Sequence, residues 1–296
     1  AAVVLTASLV SADADDTQNR VKSGEMEEAD ANRWGQGLAL RDNFFSSVER
    51  CQSVEFPYVI EFLCSNGVEG DGAGILLLGD SHADAASDGL FAAGKLIDKK
   101  VFGWNMPGCP LITGFRVNSA EVCESAGWFT QGAVQHYRPE VLVIVDSFVT
   151  YLTGEQPADS VSKELQQGVV SKEFKLRVTE ISDGLSALVD SKKPYVGHVV
   201  IMQEVPFAVM PGTTGLGECP AHELLRRAVA DEINSKFKDD PKVTIFDPSE
   251  YLFKDVDPCS AERIADGIYW HKTHLNKAGS LKLVDGWKKV LSPLLK

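Results

Sequence analysis

Two stretches carry residues whose types and spacing suit acyl chemistry. Residues 74–89 run Gly-Ile-Leu-Leu-Leu-Gly-Asp-Ser-His-Ala-Asp-Ala-Ala-Ser-Asp-Gly, so an apolar stretch of strand length stops at Gly79-Asp80-Ser81-His82 and passes into an alanine-rich helical segment. Ser81 then stands where a buried strand hands over to a helix N-terminus. Backbone amides and the positive end of the helix dipole can stabilise charge developing on a tetrahedral oxyanion there. Asp and Ser are also ordinary helix N-caps, so the turn alone does not separate a nucleophile from a cap.

Near the C-terminus lies the second stretch, Asp266-Gly-Ile-Tyr269-Trp270-His271-Lys-Thr-His274-Leu275-Asn276-Lys-Ala-Gly279. A serine hydroxyl is a poor nucleophile until an imidazole takes its proton, and histidine is the side chain that titrates near neutrality. His274 supplies that imidazole if the fold brings it to Ser81. His271 and His274 also form a His-x-x-His pair, but no carboxylate or cysteine at a fixed spacing completes a metal site, so no metal or other cofactor is expected.

The elements that must bring the two stretches together read as an α/β alternation. Strands are expected at 75–79, 101–105, 141–145, 197–203 and 243–246, and helices at 83–99, 126–137, within 158–192, and at 221–238 and 276–291. Val141-Leu-Val-Ile-Val145 is as apolar as a strand covered on both faces should be. The fold class is therefore α/β, a mainly parallel sheet sandwiched by helices in three layers, with ligands at the carboxyl ends of the strands. Ser81 follows the first strand of the alternation and His274 precedes the last helix. Both belong at that edge. The domain reading is a linker or membrane-proximal segment over 1–33, a disulfide-clipped extension over 34–73 and a catalytic domain over 74–296. Ala1–Ala12 reads like the end of a membrane segment or the apolar part of a signal peptide, and the acidic run after it cannot bury a core face.

The chain has 296 residues, 44% of them hydrophobic and 24% charged, with a formal net charge of −13. That acidity gives no basic footprint for nucleic acid and disfavours adhesion to an anionic membrane. No stretch reaches the ~18 apolar residues of a membrane span. Six cysteines, Cys51, Cys64, Cys109, Cys123, Cys219 and Cys259, contain no Cys-x-x-Cys and match no zinc template. An even count of this kind points to three disulfides in an oxidising compartment. Sequence-neighbour pairing gives Cys51–Cys64, Cys109–Cys123 and Cys219–Cys259.

Gly-Asp-Ser at the end of the first strand, with a late His-Leu opening the last helix, resembles the SGNH (GDSL-type) esterase and acyltransferase superfamily. More narrowly, Gly79-Asp80-Ser81-His82, Gly-Cys-Pro at 108–110 and the six cysteines resemble the extracytoplasmic SGNH domains fused to membrane acyltransferase family 3 proteins. The resemblance spans residues 50–295. It implies an SGNH or flavodoxin-like fold, Ser81 as nucleophile, His274 as its base and no cofactor. It also implies transfer of an acetyl or similar group to an envelope carbohydrate or glycolipid, or hydrolysis of such an ester, in an extracytoplasmic domain tethered to a membrane acyltransferase before residue 1.

Two positions depart from the family pattern. The usual aspartate three residues before the histidine is His271 here, so His271, a distant acid such as Asp266, or a bare Ser81–His274 dyad would orient the base. The oxyanion asparagine after the third strand is replaced by Asp146-Ser147, which leaves Gly108, Asn105 and Ser147 as candidate donors, with Asp80 and Trp270 beside the site. An ionised carboxylate facing an oxyanion would repel it. The departures keep open a reading from another class, a catalytically silent module that binds a glycan or positions a partner. Trp104, Trp128 and Trp270 read as core or loop-packing residues, and Asp84 and Asp88 as early-helix acids.

Overall fold

In the computed structural model the sheet starts with an antiparallel pair, Arg50–Phe56 (β1) and Val59–Ser65 (β2). The alternation follows as Ile75–Gly79 (β3), helix Ser81–Leu96 (α1), Val101–Asn105 (β4), helix Ala120–Tyr137 (α2), Val141–Val145 (β5) and a short helix Phe148–Thr153 (α3). Helix Lys172–Lys192 (α4), His198–Met202 (β6), helix Cys219–Phe237 (α5), Val243–Phe246 (β7) and the one-turn helix Ser249–Leu252 (α6) continue it. A small pair, Tyr269–His271 (β8) and His274–Leu275 (β9), then precedes helices Lys277–Lys282 (α7) and Val284–Leu291 (α8). The structure describes residues 50–295 without 57–58, 70–73, 113–119, 154–171, 208–218, 254–258, 260–266 and 272. The expected linker over 1–33, the first part of the expected extension and Asp266 lie outside the described residues.

Seven strands lie in the order β1-β2-β4-β3-β5-β6-β7. The strands from β3 to β7 are mutually parallel, and β2 joins β4 antiparallel through Cys64 opposite Gly103. Taken in chain order, the parallel strands follow the doubly wound, flavodoxin-like arrangement, whose crevice opens where the winding reverses direction. That reversal falls beside β3 and β5. The expected mainly parallel three-layer fold is thus the observed one, and residues 50–65 extend its sheet as an edge hairpin.

Alternate strand residues feed two cores. Leu76, Leu78, Phe102, Trp104, Leu142, Ile144, Val199 and Ile201 pack with Phe129, Ile181, Leu185, Leu225 and Val229, so α2, α4 and α5 cover one face. Trp104 lies in that core against Phe129, with ring centroids 4.7 Å apart. On the other face α1 packs against β3, β4, α7 and α8. Trp128, expected as a packing residue, is instead 67% exposed. The expected single closing helix is two helices that meet at Leu283.

The layer holding α1 and α7 is built on missing side chains. A Cβ on Gly89 would stand 2.1 Å from the Ser280 carbonyl oxygen, and one on Gly279 would stand 2.2 Å from that of Ile268. The Gly89 N–H donates to Ser280 Oγ at 2.9 Å. Backbone therefore meets backbone between the first and last parts of the α/β unit. Gly79 is equally confined, since its Cβ would fall 1.8 Å from the Val145 carbonyl oxygen.

Disulfides Cys109–Cys123 and Cys219–Cys259 are formed. Cys64 is disulfide-bonded as well, and its register partner is Cys51. Among the described residues no cysteine is free and no helix is long and apolar enough to cross a membrane. Such cross-linking belongs to an oxidising, extracytoplasmic environment. The Gly89 contact yields a prediction. Gly→Ala inside a helix normally gains up to about 1 kcal/mol, but Gly89→Ala must push α7 away and is expected to cost about 1–3 kcal/mol instead. A thermal melt against wild type checks this, and a raised midpoint would contradict the close docking.

Candidate functional site

The parallel strands end level with one another: Gly79 pairs with Asn105 and Val145, and Val145 with Met202. The residues that follow therefore gather at one edge. Asp80 is the N-cap of α1, and its carboxylate accepts the His82 N–H at 2.7 Å, leaving Ser81 as the first helical residue. On the opposite side Asn276 caps α7, accepting the Gly279 N–H at 3.0 Å, and its own N–H donates to the Ile268 carbonyl at 3.0 Å. Those bonds pin β9 against the residues before β8, and the Gly89–Ser280 contact seats α7 on α1.

The two chemistry-bearing residues meet as a result. Ser81 Oγ lies 2.8 Å from His274 Nε2, and both residues are half-buried. His274 Nδ1 lies 3.2 Å from Thr273 Oγ1. With the proton on Nδ1 directed at Thr273, Nε2 is the ring nitrogen that can accept from the serine hydroxyl. The His82 ring packs against the His274 ring, with centroids 4.1 Å apart and the planes tilted by 38°.

Behind this contact sits a buried carboxylate network. Asp80 accepts the Ser147 N–H at 2.9 Å and the Tyr151 hydroxyl at 2.5 Å, and its Oδ1 is 3.3 Å from His82 Nδ1. Asp146 accepts the Asp80 N–H at 3.1 Å and the Leu111 N–H at 3.2 Å. Glu204 accepts the Ser147 hydroxyl at 3.2 Å and the Val149 N–H at 2.7 Å. These bonds tie together the ends of β3, β5 and β6 and the loop after β4.

Protonation follows from the same contacts. Burial alone would push Asp80 up, but the charge and hydrogen bonds of His82, with the Tyr151 bond, hold it below the usual carboxylate range. Burial would depress His82, yet the Asp80 and Glu204 charges raise it. Burial and the neighbouring Asp80 charge push Asp146 well up. Glu204 is pushed up to about 6, mainly by burial. Burial and Asp80 also keep the Tyr151 phenol protonated far beyond its ordinary range. The edge thus holds one ion pair, Asp80 with His82, beside a carboxyl that favours its neutral form and another that titrates just below neutrality.

The other expected site residues fall into three groups. Asn105 is half-buried at the end of β4, beside Gly79, and Gly108 is exposed in the turn closed by the Cys109 N–H on the Met106 carbonyl, at φ 73°. Ser147 directs its N–H to Asp80 and its hydroxyl to Glu204. Asp80 and Asp146 are 2% and 1% exposed, so both carboxylates lie beneath the site. His271 is the backbone register partner of His274 across β8 and β9, and the side chains of His271 and Trp270 lie outside the described structure. Asp84 and Asp88, expected as early-helix acids, lie in α1 and are buried. Burial raises Asp88 to about 6 despite the opposing charge of Lys277.

Thr273, Tyr151 and Glu204 were not singled out from the sequence. Thr273 could have been, as a hydroxyl residue next to His274. Tyr151 and Glu204 act through contacts 71 and 57 residues away and leave no local mark. Among the described residues no three His, Cys, Asp or Glu side chains cluster as metal ligands would.

A family model described as "SGNH domain (fused to AT3 domains)" matches residues 41–289. None of the curated proteins matches the sequence. Among solved structures, the periplasmic domain of a lipopolysaccharide acetyltransferase of Salmonella ser. Paratyphi A is similar at 16% identity and a TM-score of 0.49, over 77% of this chain and 87% of that one. An acetylxylan esterase from Geobacillus stearothermophilus is similar at 13% identity and a TM-score of 0.46, over 76% of this chain and 96% of that one.

The raised Glu204 carboxyl has a consequence for stability. The folded state holds this proton more tightly than the unfolded chain, so its contribution is fully present below pH about 4.5 and is lost as pH rises through about 6. Relative to Glu204→Gln, which cannot titrate there, wild type should lose roughly 2 kcal/mol between pH 4 and pH 7. Urea unfolding of both proteins at the two pH values measures the difference, and a gap that does not change with pH would refute it.

Proposed function

Because this chain belongs to the family of SGNH domains fused to AT3 domains and is an SGNH-type esterase or acyltransferase, we propose that Ser81 is its nucleophile and His274 the base that activates it. The observation carrying this reading is the 2.8 Å contact between Ser81 Oγ and His274 Nε2 at the N-terminus of α1. In the first step the serine oxygen attacks the carbonyl carbon of an acyl ester while Nε2 takes the hydroxyl proton. The oxyanion forms at the mouth of α1, where the Ser81 N–H, the Gly108 N–H and the Asn105 side chain are the proposed donors. Collapse expels the leaving oxygen, which takes the proton back from His274, and leaves an acyl-serine.

An acceptor hydroxyl repeats the sequence in reverse. Nε2 removes its proton, its oxygen attacks the acyl-serine, and the proton returns to Ser81 as the new ester leaves. Water as acceptor makes the same site an esterase. The proposed acceptor is a cell-envelope carbohydrate or glycolipid, and the proposed setting is a domain held at the membrane by an acyltransferase partner domain of the AT3 type. The family description and the disulfides support that placement.

With p-nitrophenyl acetate as acyl donor, Ser81→Ala and His274→Ala should each lower kcat by about a thousandfold or more. Both should abolish labelling by a fluorophosphonate probe. Equal turnover by wild type and Ser81→Ala would sink the reading and favour a module that only binds.

Orientation of the base is assigned to Thr273 Oγ1, with His271 at the family's acid position as a second contributor. Thr273→Val should reduce kcat about 5–30-fold with little change in KM, as expected when a ring loses the bond that holds its tautomer. His271→Ala should cost less than that, and His271→Asp should equal or exceed wild type. No loss in Thr273→Val would return the orienting role to His271.

A further inference from the structure

His82 follows the serine directly and is buried, with a side-chain exposure of 7%, although histidine beside a nucleophile is not needed for the turn it occupies. Its backbone N–H already serves the cap on Asp80. The ring is what remains to be explained. It sits 3.3 Å from one Asp80 carboxylate oxygen on one side and 4.1 Å, centroid to centroid, from the His274 ring on another. We propose that His82 is a positioning residue for the reaction at Ser81: as an imidazolium paired with Asp80, it holds the plane of the His274 ring and keeps His274 in its proton-accepting form at mildly acidic pH.

The groups around His82 decide the sign. Asp80 faces it from the cap of α1, Asp146 from the end of β5 and Glu204 from beyond β6, Tyr151 of α3 reaches it through Asp80, and His274 faces it from β9. Asp80 and Glu204 favour a charged His82, which agrees with its raised proton affinity. A cation against the face of His274 opposes protonation of that second ring. Removing the His82 charge leaves the Asp80 carboxylate behind the site without its cation, which favours a protonated His274. Losing the charge therefore moves His274 toward holding a proton that it must not hold when Ser81 needs a base.

This inference rests on the proposed pairing of Ser81 with His274, and its test separates the two. In wild type, NMR titration of the histidine ring Cε1–H signals should show His82 losing its proton at higher pH than His274. In His82→Asn, which keeps a donor for Asp80 but no charge and no ring, the His274 midpoint should rise by about 0.5–1 unit, a three- to tenfold gain in proton affinity. The acid limb of kcat/KM for p-nitrophenyl acetate should move by the same amount, whereas a merely structural role would lower kcat and leave the limb in place. If His82 titrates below His274 in wild type, the proposal is overturned without any variant having to fold. An unmoved His274 midpoint in a folded His82→Asn overturns it as well. Neither NMR arm depends on turnover, so loss of the Ser81 reading would appear separately, as unchanged turnover in Ser81→Ala.

Discussion

The site depends on two backbones meeting with no side chain between them. Where Gly89 of α1 faces Ser280 of α7, the approach is closed by a hydrogen bond from a helix N–H to a serine hydroxyl, and Gly279 makes a second such approach to Ile268. A few residues to either side, the same two segments carry Ser81 and His274. The 2.8 Å between hydroxyl and imidazole is therefore the far end of a lever whose fulcrum is glycine. Interiors this tightly packed do not yield gradually, so the distance is held by packing as much as by the hydrogen bond itself.

Beneath that contact the usual expense of burying carboxylates is met by backbone. Asp80, Asp146 and Glu204 accept N–H groups from residues 82, 147, 80, 111 and 149, which ties the strand ends and the loop after β4 to one another. The Asp146 that seems, from its position in the chain, to threaten an oxyanion lies below the surface and is kept toward neutrality by burial and by Asp80. Its effect is to fix the backbone of the Asp80–Ser81 turn and of the loop bearing Gly108. The Asp80–His82 ion pair lies at this edge, and its imidazole packs against the His274 ring.

Much of the fold could be read in advance, and the reason is local. β3 and β5 begin and end where their apolar runs do, because a strand buried on both faces has no polar position to blur its limits. The meeting of Ser81 and His274 followed from topology, since parallel strands collect their following residues at one edge. The β1–β2 hairpin was hidden because its place is set by pairing with β4, which is a long-range contact. The break at Leu283 was hidden for the same reason, as helical periodicity runs through 276–291 while tertiary packing divides it. Tyr151 and Glu204 belong to networks between elements, and nothing in their own neighbourhoods marks them.

Synthesis runs from one end, and the partners at this edge are separated by 193 residues. A polypeptide emerging N-terminus first can assemble most of the sheet and expose the Ser81 turn while its imidazole is still unmade or untranslocated. A copy that stops short of residue 274 carries the strands of the sheet and the Ser81 turn without the imidazole that meets it.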